Sequence, residues 1–108
     1  MRVLQVAASL ADEWGGPTAV IAGLTAALES KGVASTVFAS KGKRVGTEGV
    51  SVGAVRSRLF STGSLAGLWT GYARGMAASM RRELPDYDLV HVHELWHYPG
   101  FAAYRAAR

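Results

Sequence analysis

Cysteine is absent from the 108 residues, which excludes disulfides and thiolate chemistry and is compatible with a reducing compartment. No apolar run approaches the roughly 20 residues that a membrane-spanning helix needs. The start, with Arg2 in a strand-like pattern and Asp12-Glu13 soon after, lacks the form of a signal peptide. Acidic side chains are scarce, 8 against 12 Lys and Arg, for a net charge of +4. The basic residues are nevertheless scattered, the densest groups being Lys41-Gly42-Lys43-Arg44, Arg56-Ser57-Arg58 and Arg81-Arg82. None reaches the about five or six like charges of a basic tail, so each reads as a solvated rim and nucleic acid is not an expected partner. The expected location is the cytoplasm, the surplus positive charge allowing weak peripheral attraction to the inner face of the membrane.

What is present is the balance of a folded domain: 49% hydrophobic and 19% charged residues, with length for about one domain. Arg2 to Ala8 is a nearly continuous apolar run of strand length, as in a strand buried on both faces of a parallel sheet. Val20, Ile21, Leu24 and Leu28 recur at helical spacing and stop at Lys31-Gly32. Val33 to Ser40 reads as a second strand, and Val50 to Val55 alternates as a weaker third. Arg56 to Ser64 is loop-like by composition. From Leu65 to Leu84 the apolar positions Leu65, Leu68, Trp69, Tyr72, Met76, Met80 and Leu84 predict a long amphipathic helix that ends before Pro85. Asp88 to His93 reads as another strand, Glu94 to Pro99 as the loop at its end, and Gly100 to Arg108 as a further helix. Alternating strands and helices predict an α/β fold, an open, mostly parallel Rossmann-like sheet flanked by helices. Helix-forming sequence runs to Arg108 without a stop signal, so a partial domain is expected.

Two segments carry candidate chemistry. In the first, Gly15-Gly16-Pro17 lies between a strand and a helix. Its glycines allow close backbone approach, Pro17 suits the first helical turn, and the free amides at the helix start favour an anion. The same residues also suit a plain tight turn. The second holds all three histidines in His91-Val92-His93-Glu94-Leu95-Trp96-His97. Strand alternation points His91 and His93 to one face. With His97 and Glu94 they are candidates for metal ligands as in a hydrolase, for hydrogen-bonding groups at the mouth of a cleft, or for structural imidazoles bonded to backbone. In an open α/β sheet, both segments fall outside the carboxyl ends of the strands, where ligands bind.

Taken in order, these pieces resemble the N-terminal domain of retaining, two-Rossmann-domain (GT-B type) glycosyltransferases of group 1, or family 4. The resemblance rests on Met1-Arg2-Val3-Leu4-Gln5-Val6, Gly15-Gly16-Pro17 opening a helix with Leu24 and Leu28, and Lys31-Gly32-Val33 leading into Thr36-Val37-Phe38. It continues through Tyr87-Asp88-Leu89-Val90-His91-Val92-His93, Leu95-Trp96 and Tyr98-Pro99. It implies transfer of a sugar from a nucleotide-sugar, a substrate rather than a cofactor, to a glycan or lipid-linked acceptor with retention, usually without bound metal, in polysaccharide or glycolipid synthesis. It places Gly15 and Gly16 at the donor diphosphate, makes His91, His93, His97 and Glu94 the catalytic candidates, and puts His93, Glu94, Trp96, His97 and Tyr98 beside the acceptor. It also implies a C-terminal nucleotide-sugar-binding domain that these residues do not contain. Where the family often has histidine after the glycine ending the first helix, this chain has Val33. The residues alone leave two rivals: a metal-dependent hydrolase using His91, His93 and His97, and a small nucleotide- or phosphate-binding module built on Gly15-Gly16-Pro17.

Overall fold

A computed structural model of the chain describes residues 1–9, 16–40, 56–60, 69 and 72–108. Its elements run β1 (Arg2–Ser9), α1 (Gly16–Ser30), β2 (Ala34–Ser40), β3 (Arg56–Phe60), α2 (Met76–Glu83), β4 (Leu89–Val92) and α3 (Tyr98–Ala107), with a 3-10 turn at Leu84–Asp86 between α2 and β4. The strands form a four-stranded sheet in the order β3-β2-β1-β4, every pairing parallel. This is the Rossmann-like α/β arrangement expected from the alternation of strand and helix. Strand order moves outward from β1 to β2 to β3, then β4 returns to the other side of β1. The reversal lies between β1 and β4, the place where such sheets leave a crevice beyond their carboxyl ends.

Strand alternation divides the core between the two faces. Leu4, Val6, Phe38 and Phe60 pack with Ala73, Met76, Met80, Ala102 and Ala103 of the α2 and α3 side. Ala7, Val37 and Ala39 pack with Ile21 of α1 on the opposite side. Val3 to Ala8 are all buried, as a central strand covered on both faces requires.

Three expectations need correction. Arg56 to Phe60, read as loop, is β3, paired from Thr36↔Arg56 to Ser40↔Phe60. Its basic composition concealed an alternation in which Arg58 and Phe60 face α2. The Arg58 guanidinium lies over the rings of Phe38 and Phe60 at 5.5 and 5.3 Å and pairs with Glu83. Arg58 is therefore tied to the helix layer, and its hydrogen bond to Glu83, with its charge adding to the effect against the opposing pull of burial, holds the Glu83 carboxyl below its usual range. The expected third strand at Val50 to Val55 lies outside the described residues.

The helix expected from Leu65 to Leu84 begins only at Met76. Gly75 precedes it with φ 78°, a left-handed conformation that suits glycine and cannot continue a helix. Residues 65–68, 70 and 71 lie outside the described residues. Trp69 and Tyr72 contribute instead to an aromatic cluster: Tyr98 meets Trp69 at 5.4 Å and Tyr72 at 4.7 Å between ring centroids. α3 starts at Tyr98, two residues before the expected Gly100, with Pro99 in its first turn and His97 as its N-cap. Gly100 has a different use. A Cβ there would meet Val92 Cγ1 at 3.0 Å and the Glu94 carbonyl oxygen at 3.2 Å, so glycine allows α3 to approach β4 closely.

Among the described residues β4 pairs only with β1, leaving one edge open beside exposed Leu89, Val92, Phe101 and Tyr104. An unpaired edge beside apolar side chains templates association. The chain is therefore expected to self-associate, and light scattering over a concentration series should give a mass that rises above one chain. A monodisperse monomer at every concentration would contradict this.

Candidate functional site

The site grows from the point where β1 and β4 separate. Their ladder pairs Val3↔Leu89 through Val6↔Val92 and closes with the His93 N–H donating to the Val6 carbonyl at 3.0 Å. Beyond it the backbones part, and the Glu94 side chain spans the gap. Its Oε2 accepts from the Ala8 N–H at 2.9 Å, taking the place of a ladder bond. The other carboxyl oxygen, Oε1, is buried and has no hydrogen-bond partner among the described residues. Burial pushes the Glu94 carboxyl above its usual pKa, against the opposing pull of the Ala8 N–H and of His97.

The histidines separate into two groups. His91 and His93 share one face, as alternation requires, with rings stacked at 4.3 Å and 14°. His93 Nε2 lies 2.8 Å from Gln5 Oε1. The Gln5 amide nitrogen in turn lies 2.7 Å from both Thr25 Oγ1 of α1 and Ser35 Oγ of β2. These partners place His91 and His93 on the α1 side. Burial, and then the charge of His91, lower the His93 pKa from its ordinary value. His97 stands with Glu94 on the other side, where they line a groove of about 500 Å³ with Trp69, Val92, Leu95, Trp96, Gly100, Phe101 and Tyr104. Among the described residues no three His, Asp or Glu side chains come together to hold a metal ion. The hydrolase reading thus finds no assembled ligand set there.

The remaining candidates fall as follows. Gly16 opens α1 at the carboxyl end of β1, whereas Gly15 lies outside the described residues. Tyr98 has its ring packed in the aromatic cluster, and burial raises its hydroxyl pKa. Trp96 is 92% exposed and is the non-glycine residue with positive φ, 66°, among the described residues. An L side chain held there costs about 1–2 kcal/mol, and neither core packing nor burial offsets it. Backbone strain of this kind collects at ligand sites. Sequence reading missed Gln5, Thr25 and Ser35. The available signal was one amide inside the apolar run Val3 to Ala8.

Comparison with protein-family models matches residues 14–108 to glycosyltransferase family 4. The chain belongs to glycosyltransferase family 4. It carries an N-terminal-type domain of that family, in keeping with its parallel α/β sheet. The comparisons with curated proteins and with solved structures found no match. The match spans Gly16, the histidine segment and α3. Among the described residues no helix is long and apolar enough to cross a membrane.

Trp96 supplies a direct test of the strained loop. Trp96→Gly removes the left-handed penalty, while the greater freedom of glycine when unfolded takes back part of the gain. Chemical denaturation should show stability unchanged or raised by up to about 1 kcal/mol. A loss larger than that would mean that the ring is held by packing.

Proposed function

We propose that this domain forms the acceptor side of an enzyme that transfers a sugar from a nucleotide-sugar to a glycan or lipid-linked acceptor with retention, in polysaccharide or glycolipid synthesis. The observation that carries the reading is the family match over residues 14–108, supported by the parallel sheet with its strand reversal between β1 and β4. In this reading the glycines of the Gly15-Gly16-Pro17 segment that leads into α1 face the donor diphosphate and stabilise charge on the departing phosphate. A C-terminal domain binds the nucleotide, and closure of the two excludes water from the donor. No resident metal or cofactor is invoked.

Residues on the acceptor side divide by position. Glu94 and His97 border the groove, and Trp96, Phe101 and Tyr104 present exposed aromatic surface on which a pyranose ring or an apolar chain packs. His93 serves the neighbouring α1 side. Tyr98 supports the loop through its packing on Trp69 and Tyr72. The net charge of +4 suits weak attraction to an anionic membrane surface at the cytoplasmic face.

Gly16→Val in the complete protein tests the phosphate role. A branched side chain at the start of α1 obstructs close backbone approach to phosphate, and loss of such stabilisation costs on the order of a hundredfold in kcat/KM. Assay against a panel of nucleotide-sugars, with circular dichroism to establish folding, is the measurement. Normal kinetics in the folded variant would reduce the glycine loop to a structural turn.

A further inference from the structure

The polar group in the middle of the sheet decides what His93 offers to a ligand. Gln5 is fully buried, and its amide has two N–H donors and one acceptor oxygen. Both donors are used, to Thr25 Oγ1 and to Ser35 Oγ, each at 2.7 Å. Only Oε1 remains for the imidazole, and it lies 2.8 Å from Nε2. Two acceptors cannot bond each other, so with the amide in this orientation Nε2 carries a hydrogen. A neutral imidazole has one N–H, which leaves Nδ1 with an open lone pair. Among the described residues Nδ1 has no hydrogen-bond partner, and it is not among the buried unpaired atoms.

We propose that Gln5 is a positioning residue that holds His93 as the neutral Nε2–H tautomer, so that Nδ1 accepts a hydrogen bond from a substrate hydroxyl at the carboxyl end of β4. The identity of that hydroxyl as belonging to a sugar rests on the glycosyl-transfer reading; the tautomer does not. The neutral form is supported from each neighbouring element. His91 stacks on the ring from β4 itself, and β1, α1 and β2 contribute the uncharged Gln5, Thr25 and Ser35. Glu94 commits one oxygen of its carboxyl to the Ala8 N–H. Burial and His91 both disfavour the imidazolium. An exposed lone pair attracts a hydroxyl and repels a phosphate or carboxylate, so this position selects against anions.

Nitrogen-15 labelling of the histidines and two-bond proton–nitrogen spectra read the tautomer directly, with His91→Gln and His97→Gln to assign the signals. Above neutral pH, His93 should show the Nε2–H pattern and titrate below its ordinary value. Gln5→Glu should raise that titration by about one pH unit or more, because a carboxylate favours the cation. Inorganic phosphate should leave it unmoved. An Nδ1–H tautomer in the parent protein would overturn the proposal even if the Gln5 variant fails to fold, as would an unchanged titration in a folded Gln5→Glu protein. A phosphate-induced rise would identify an anion site and overturn the hydroxyl assignment. None of these readouts requires sugar transfer, so failure of the enzymatic reading remains a separate result.

Discussion

The hydrogen-bonded amide of Gln5 is the constraint on which the architecture turns. It lies in the central strand with no access to solvent and reaches Thr25 on α1, Ser35 on β2 and His93 beyond β4. A buried amide without partners would cost several kcal/mol, so the register of these elements has to bring the right groups to it. Hydrophobic burial accounts for two packed faces. The amide specifies which residues of α1, β2 and β4 meet, and a shift of one residue along any strand would turn its partner to the opposite face.

Because β4 returns to the far side of β1, the same constraint reaches the site. The two strands share a short ladder and then separate, and Glu94 bridges their ends through the Ala8 N–H. His93 and Glu94 are adjacent in sequence but serve different sides. One joins the polar network facing α1; the other borders the groove against α3. This division explains why a compact histidine segment does not form a compact cluster. In a family 4 glycosyltransferase domain, it gives the crevice a polar wall and an aromatic one.

Much of the fold was legible because its signals were local. A continuous apolar run marked β1, helical spacing marked α1, and alternation in the segment ending at His93 marked β4 and the shared face of His91 and His93. β3 was obscured because Arg58 looks like loop composition unless the rings beneath it and Glu83 are known. The overlong helix was a failure of pattern over backbone: the apolar spacing ran through Gly75, whose left-handed φ interrupts helical backbone, so that α2 starts after it at Met76. At the site, sequence identified the chemically rich segment. It could not divide that segment between two sides of the sheet, because the division depends on contacts between residues more than 80 positions apart, such as His93 with Gln5 and Glu94 with Ala8.

The most direct test of this account is a comparison of unfolding free energies for Gln5→Met, for Thr25→Val with Ser35→Ala, and for the triple variant. Gln5→Met keeps similar volume but leaves two buried hydroxyls without their amide partner, at about 1–3 kcal/mol for each unsatisfied group. Replacing those hydroxyls as well removes the unsatisfied groups, so the triple variant should recover most of the loss. Such non-additivity is the signature of one interacting network. Strictly additive losses, or a Gln5→Met protein as stable as the parent, would contradict the claim that the Gln5 amide organises the sheet and the site above it.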